Sequence, residues 1–130
     1  MTNEHININA TVGTYSNAVV AGDTCYLSGV VGVDPTTNKL VAQDAGIQTR
    51  QILANIAEIL DAAGFTPESV VQYTCYLTDI SDWSALNQAF CESVPAPPPA
   101  RIAVAVRDLP LAARVEISAI AVRPPTTDRK

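Results

Sequence analysis

The chain has 130 residues, of which 48% are hydrophobic and 16% are charged, and this composition is typical of a globular protein and excludes an intrinsically disordered one. Its net charge is −5 at pH 7, with eight basic residues against thirteen acidic ones, so we expect neither nucleic-acid binding nor attachment to a membrane surface. The length predicts one domain, residues 1–130, whose core needs no disulfide or metal.

The amino-terminal segment MTNEHININ has no basic region followed by an apolar stretch, so no signal peptide is expected. No apolar run in the chain reaches the ~18 residues of a membrane span. These two observations predict a cytoplasmic protein. At the other end of the chain, residues 124–130 are expected to form a frayed tail.

The first half of the chain predicts a strand followed by a long helix. Residues 24–33 are rich in β-branched and aromatic side chains, and the turn DPTTNK follows them. Residues 44–63 predict an amphipathic helix that stops at Gly64. Its buried stripe is expected to comprise Ile52, Ile56, Ile59, Leu60 and Ala63. Its polar face is expected to comprise Gln51, Asn55, Glu58 and Asp61.

The second half predicts a strand over residues 69–78 and then a shorter helix. Ser81 is a plausible N-cap for this helix, which must end before Pro95. Its inward side chains are expected to be Trp83, Leu86 and Phe90. Residues 95–100, PAPPPA, contain four prolines and predict a rigid connector.

Two strands close the chain, over residues 100–108 and 113–123, and the segment DLPLAA between them predicts a hairpin connection. The order of elements therefore predicts an α+β fold: one mixed sheet of about six strands, with two helices packed on one face.

Alternation predicts which face of the sheet each side chain of these two strands occupies. The predicted polar face carries Arg101, Ala103, Ala105, Arg107, Arg114, Glu116 and Ser118. The predicted apolar face, under the helices, carries Ile102, Val104, Val106, Val115, Ile117, Ala119 and Ala121. Ile120 and Val122 would point outward with the polar residues. A face this mixed predicts a subunit interface that contains a polar pocket.

The cysteines and the histidine give no sign of a metal or thiol site. Cys25, Cys75 and Cys91 form no CxxC pair, and His5 is the one histidine. A zinc site needs more ligands at closer spacing, and a Cys–His or Ser–His–Asp centre needs a histidine beside its nucleophile. The cysteines are interpreted as reduced core residues, and no metal or cofactor is expected.

Arginines and carboxylates remain as candidates for chemistry. Arg101 follows a stiff proline segment, and its planar guanidinium matches a carboxylate, although a surface arginine or an intersubunit ion pair is the alternative. Glu116 could act as a general base, or it could form a salt bridge with Arg107 or Arg114. Tyr15 and Ser28 could each offer a hydroxyl, or be structural.

Four segments together resemble the YjgF/RidA family, which is also described as endoribonuclease L-PSP-like. GTYSNAVVAGDTCYLSG resembles the opening of these proteins, and QTRQILANIAEILDAAG is similar to their first helix. VVQYTCYLTDISDWSALNQAF resembles the next strand and helix, and PPARIAVAVRDLPLAARVEISAIAV is similar to the closing signature. The resemblance covers residues 13–122 in the right order.

This resemblance implies a fold like the chorismate mutase of the Bacillus type, assembled as a homotrimer with sites in the clefts between subunits. It implies hydrolysis of small 2-imino or enamine carboxylic acids to 2-oxo acids and ammonia. By motif, Arg101 would hold the substrate carboxylate and Glu116 would orient water, so these two are the candidate catalytic residues. The further substrate-binding positions would be Tyr15, Ser28, Gly29, Asn87 and Ala103.

Departures from the family pattern leave the substrate open. Val30 stands where Gln is common after the SG pair, Ile102 and Ala103 follow PAR, and residues 95–100 replace the usual aromatic end of the helix. The alternatives are another small carboxylate, as in 2-aminomuconate deamination or a specialised pathway step, and a metabolite-binding or chaperone-like protein without catalysis. An RNA-cleaving role conflicts with the acidic charge.

Overall fold

The structure, a computed structural model, describes residues 2–124, so the predicted frayed tail lies outside the described residues except for Pro124. The helices are α1 (Ala45–Ala63) and α2 (Trp83–Ser93). The strands are β1 (Glu4–Ile6), β2 (Ala18–Ala21), β3 (Thr24–Leu27), β4 (Val30–Val31), β5 (Val33–Asp34), β6 (Lys39–Leu40), β7 (Val70–Leu77), β8 (Ala100–Ala105) and β9 (Val115–Val122).

One mixed sheet of seven strands forms the centre of the fold, in the order β1-β2-β3-β9-β7-β8, with β4 also paired to β9. Only the β7–β8 pair is parallel among these pairings. The predicted α+β class with a mixed sheet and two helices is confirmed. The predicted first strand is divided in three, because the chain leaves β3 at Ser28 and passes through β4 into the separate β5–β6 hairpin.

Helix α1 begins and ends close to its predicted limits. The Asp44 side chain accepts a hydrogen bond from the backbone N–H of Ile47 at 2.9 Å, which caps the first turn. Gly64 ends the helix with φ of 82°, a left-handed conformation that glycine adopts without steric cost. All five residues of the predicted apolar stripe are buried. Asn55 was expected on the polar face and is instead buried, because its amide bonds to Val33 beneath the helix.

Helix α2 begins differently from the prediction. Ser81 is not its N-cap: a short 3₁₀ turn, Ile80–Asp82, precedes the helix, and the Asp79 carboxylate accepts from the Ser81 N–H at 2.9 Å. Leu86 and Phe90 are buried as predicted, but Trp83 is 42% exposed. Trp83 lies in the first turn of this helix, beyond the core, and its ring contacts Arg101 of strand β8 at the sheet edge.

The last two strands do not form the predicted hairpin. Strand β7 lies between β8 and β9, pairing parallel with the first and antiparallel with the second. Tyr73 thus lies beside both Arg101 and Ala119. The segment DLPLAA is therefore a crossover between two strands that share a neighbour, and it leaves β8 at the sheet edge.

The predicted faces hold for β9 and are wrong for β8. Val115, Ile117, Ala119 and Ala121 are buried under the helices, as predicted. On β8, however, Ala103 packs against the core and the Arg101 side chain lies over α2, while Ile102 and Val104 are 47% and 41% exposed on the outer face. An edge strand partly exposes both faces, so its apolar side need not be the inner one.

The core lies between the sheet and the two helices, and the amide side chain of Gln48 is fully buried there. Gln48, on α1, accepts hydrogen bonds from the backbone N–H groups of Arg114 at 2.9 Å and Val115 at 3.3 Å. Its Nε2 donates to the Ala42 carbonyl at 2.7 Å. Gln48 therefore ties α1 to the start of β9. Within residues 2–124, neither helix is long and apolar enough to cross a bilayer.

Candidate functional site

The predicted site residues line two cavities in one chain. Tyr15, Ser28, Gly29 and Glu116 line a cavity of about 200 Å³, called here the Glu116 cavity. Arg101 and Asn87 line a second cavity of about 550 Å³, called here the Arg101 cavity. The remaining predicted residue, Ala103, packs against the core and lines neither. A single chain thus brings four of these residues together at one place and two at another.

Glu116 is positioned by strand β9, and its carboxylate lies very close to the backbone of Gly29. Glu116 lies opposite Val31 of β4, and a Cβ atom added to Gly29 would overlap the Glu116 carboxylate. Only glycine therefore lets the carboxylate lie against the backbone at this point. Burial raises the pKa of the Glu116 carboxyl above its ordinary value, because the charged form loses solvation.

The alternative partners of Glu116 are occupied elsewhere. Arg114 makes a two-pronged ion pair with Asp82, at 3.0–3.1 Å, which joins β9 to the start of α2. Arg107 lies beyond the end of β8 with its side chain 97% exposed, and its ion pair is with the adjacent Asp108. Neither arginine forms a salt bridge with Glu116, so the carboxylate is available to a ligand or water.

Hydrogen bonds hold other residues that line the Glu116 cavity. The Ser28 hydroxyl donates to the Ser16 carbonyl at 2.7 Å, so its proton is used structurally. The buried Asn17 carboxamide oxygen accepts from the backbone N–H groups of Ile8 and Asn9, at 2.8 and 2.9 Å. These bonds hold the loop that carries Tyr15, which is 44% exposed at the cavity mouth.

The Arg101 guanidinium lies in a cleft of aromatic rings. Its Nη2 donates to the Asn87 carboxamide oxygen at 3.0 Å. Its central carbon is 5.4 Å from the Trp83 ring centre and 4.9 Å from that of Phe90, which is within the range of cation–π attraction. No carboxylate among residues 2–124 forms an ion pair with Arg101. The guanidinium is thus oriented by neutral groups, and its charge is left for a ligand.

Two aromatic side chains and one amide of this cleft lie on the same face of α2. Their spacing in the sequence could have indicated this shared face. Trp83, Asn87 and Phe90 are separated by four and three residues, the spacing that places side chains together on a helix. Trp83 was expected to point into the core, and its contact with Arg101 was not predicted. Assigning it required knowing that β8 lies beside α2 at the sheet edge.

The cysteines divide into two kinds. Cys25 and Cys75 are buried, as predicted, and burial raises the pKa of Cys25 and raises that of Cys75 to about 12, although Arg101 opposes the latter shift. Cys91 is exposed, which contradicts its interpretation as a core residue. It lines the Arg101 cavity, with its sulfur 4.0 Å from the Asn87 Nδ2.

Comparison with known proteins finds a matching family model and relatives whose names agree with each other. The family model described as endoribonuclease L-PSP matches residues 6–123. A 2-iminobutanoate/2-iminopropanoate deaminase of Capra hircus is 44% identical over 118 residues, covering 91% of this chain and 86% of the relative. The chloroplastic Reactive Intermediate Deaminase A of Arabidopsis thaliana is 43% identical over 112 residues, covering 86% of this chain and 60% of the relative.

Solved structures agree with these sequence matches. RidA from the Antarctic bacterium Psychrobacter sp. PAMC 21119 superposes with a TM-score of 0.89 at 41% identity, covering 92% of this chain and 99% of the other. TdcF of E. coli, solved with bound serine, gives 0.85 at 31% identity, covering 93% and 99%. The chain therefore belongs to the YjgF/RidA family, which the endoribonuclease L-PSP model describes, and it has the chorismate-mutase-like fold of that family.

Proposed function

We propose that this protein hydrolyses small 2-imino and enamine carboxylic acids to 2-oxo acids and ammonia. Relatives at 39–44% identity are named 2-iminobutanoate/2-iminopropanoate deaminase, and TdcF holds an amino acid. The observation that carries the proposal is the Arg101 guanidinium, which is held by Asn87 and two aromatic rings and has no acidic partner within residues 2–124. Such a group suits a carboxylate ligand.

The reaction needs positioning and one proton carrier. Arg101 would hold the carboxylate through paired hydrogen bonds, which leaves the imine carbon, already electrophilic, facing the bound water. The ionised Glu116 would take a proton from this water as its oxygen attacks the carbon. The same proton would then pass to the nitrogen, which gives a carbinolamine. Glu116 would next take the carbinolamine hydroxyl proton and pass it to the nitrogen as the C–N bond breaks, which releases ammonia and the 2-oxo acid.

The two cavities suggest how the site is completed. Arg101 and Glu116 line different cavities of one chain. We propose a homotrimer in which the Arg101 cavity of one subunit faces the Glu116 cavity of the next, so that each site takes residues from two chains.

The location of the protein in the cytoplasm is still a prediction, because the Arabidopsis thaliana relative is named as chloroplastic.

Substitution of Arg101 tests the proposal. Arg101→Ala should weaken 2-oxobutanoate binding by about a hundredfold or more, because two charge-assisted hydrogen bonds are lost, and should lower ammonia release from 2-iminobutanoate. Arg101→Lys should restore little, because an ammonium keeps the charge without the planar pair of donors. Calorimetry and an ammonia assay measure both effects.

Arg107→Ala is the matched control, because Arg107 is almost fully exposed and lines neither cavity. It should behave as the unaltered protein. If Arg101 served instead as an intersubunit ion pair, Arg101→Ala would dissociate the assembly while each intact site kept its affinity. Unaltered turnover in a correctly assembled Arg101→Ala protein would contradict the proposed role.

A further inference from the structure

The Glu116 cavity continues inward beyond the carboxylate. Its mouth is formed by exposed side chains: Val12 is 64%, Leu111 48% and Tyr15 44% exposed. Its floor is formed by two residues of α1, Asn55 and Ile59, each only 2% exposed. Glu116 is half-buried between these limits. A substrate carbon beside Glu116 would therefore have open space below it, toward α1.

The floor and walls of this inner part are suited to hydrocarbon. The Asn55 amide is already hydrogen-bonded at both ends: Nδ2 donates to the Val33 carbonyl and Oδ1 accepts from Gln51, each at 2.9 Å. Val30, Val33 and Ile59 add aliphatic surface to the lining. The buried Asn17 amide also lines the cavity, and its oxygen already accepts two backbone hydrogen bonds. A polar substituent placed here would lose water without gaining an equivalent partner, whereas an apolar one would gain from burial.

The size of the cavity sets the length of such a substituent. At about 30 Å³ per water-sized group, 200 Å³ holds roughly seven non-hydrogen atoms. The carboxylate would lie outside this cavity, on Arg101. The imine carbon, its nitrogen and the attacking water occupy three places, which leaves room for about four side-chain atoms.

We propose that the inner part of the Glu116 cavity binds the side chain of the imino acid and selects aliphatic side chains of about three to four carbons over those of one or two. Val33 forms a wall and Ile59 the floor that limits length. This inference rests on the proposed function and adds the substrate class to it.

A substrate series tests the preference. Imines would be generated in situ from alanine, 2-aminobutanoate, norvaline and leucine, and ammonia release would be compared with the uncatalysed rate. Each buried methylene is worth about fourfold in binding, so kcat/KM for the leucine-derived imine should exceed that for 2-iminobutanoate by about tenfold. An equal or higher value for 2-iminopropanoate than for the leucine-derived imine would overturn the inference.

Two valine substitutions locate the subsite. Val33→Phe fills the inner cavity and should lower kcat/KM about tenfold more for the leucine-derived imine than for 2-iminopropanoate. Val41→Phe is the matched control, because Val41 follows β6 on the same hairpin and does not line the cavity. It should keep the original ratio. If both variants changed the ratio equally, or neither did, the subsite would lie elsewhere.

Two measurements keep this inference separate from the proposed function. Should Val33→Phe fail to fold, Ile59→Val deepens the same cavity by one methyl group and should shift the optimum toward longer side chains; an unshifted optimum would contradict the role of Ile59. Calorimetry with 2-oxobutanoate and 4-methyl-2-oxopentanoate reads the subsite without catalysis. Tighter binding of the longer acid in a protein that releases no ammonia would support the subsite and refute the deaminase.

Discussion

The Glu116 carboxyl is half-buried and lies beside Gly29, and its burial predicts how the activity depends on pH. Burial raises its pKa, and a general base must be ionised. The rate should therefore fall as pH decreases through this raised pKa, at a higher pH than an ordinary glutamate would give. Glu116→Gln should lower kcat by about 10²–10⁴-fold and abolish this acidic limb. A pH–rate profile of both proteins measures the effect, and an unchanged limb would assign the titration to another group.

The same raised pKa predicts that Glu116→Gln, which lowers the rate, increases the stability of the protein. A group whose pKa is higher in the folded than in the unfolded state favours folding when protonated, and this contribution is lost as pH rises through the folded pKa. Removing the charge should therefore raise the free energy of unfolding at neutral pH and change it little at low pH. Urea unfolding at the two pH values checks this. Lower stability of the variant at neutral pH would mean that the ionised carboxylate has a stabilising partner.

The three cysteines differ in burial, and this predicts which of them reacts. Cys25 and Cys75 are buried with raised pKa values, whereas Cys91 is exposed. Because the thiolate is the reactive form, iodoacetamide should modify Cys91 alone in the native protein and all three after denaturation.

Replacing all three cysteines by Ser or Ala should leave turnover largely intact. Mass spectrometry and the ammonia assay measure these outcomes, and loss of turnover in a folded triple variant would give a thiol a role in the reaction.

At the scale of elements, the attachment of α1 to β9 depends on Gln48. Gln48→Leu would leave the buried N–H groups of Arg114 and Val115 and the Ala42 carbonyl without their side-chain partner. Unpaired buried polar groups cost about 1–3 kcal/mol each, so with three such groups the free energy of unfolding should fall by about 3 kcal/mol or more. Gln88→Leu, on the exposed side of α2, should change it by less than about 0.5 kcal/mol. Urea unfolding compares the two, and equal effects would show that the Gln48 bonds are not responsible.

At the scale of the whole molecule, the outer face of the sheet predicts assembly. Tyr26, Ile102, Val104 and Val122 are each more than 40% exposed on this face. Exposed apolar side chains gathered on one sheet face favour an interface, and closed threefold symmetry would cover them without open-ended growth. Light scattering should therefore give the mass of three chains. Val104→Glu should dissociate them, while Ile80→Glu, at a more exposed position away from the sheet, should not. A monomer at micromolar concentration would refute the trimer.

Elements with a strong local pattern were predicted well from the sequence. Helix α1 has an apolar residue at each core-facing turn, an acidic cap before it and a glycine after it, so every signal is contained in the helix itself. Strand β9 alternates buried and partly exposed residues, and its predicted inner face is the observed one. Burial on one side of a regular element repeats with the period of that element, and periodicity is a property of sequence alone.

Only the tertiary structure decided where β8 lies and which way Arg101 points. Strand pairing joins residues far apart in the chain, so nothing local indicates that β7 separates β8 from β9. The apolar side of β8 faces outward, while the aromatic rings of α2 give the Arg101 side chain a favourable inner surface. The sequence alone thus determined the fold class, and it predicted the candidate site residues. Their division between two cavities followed from long-range packing, which no spacing along the chain records.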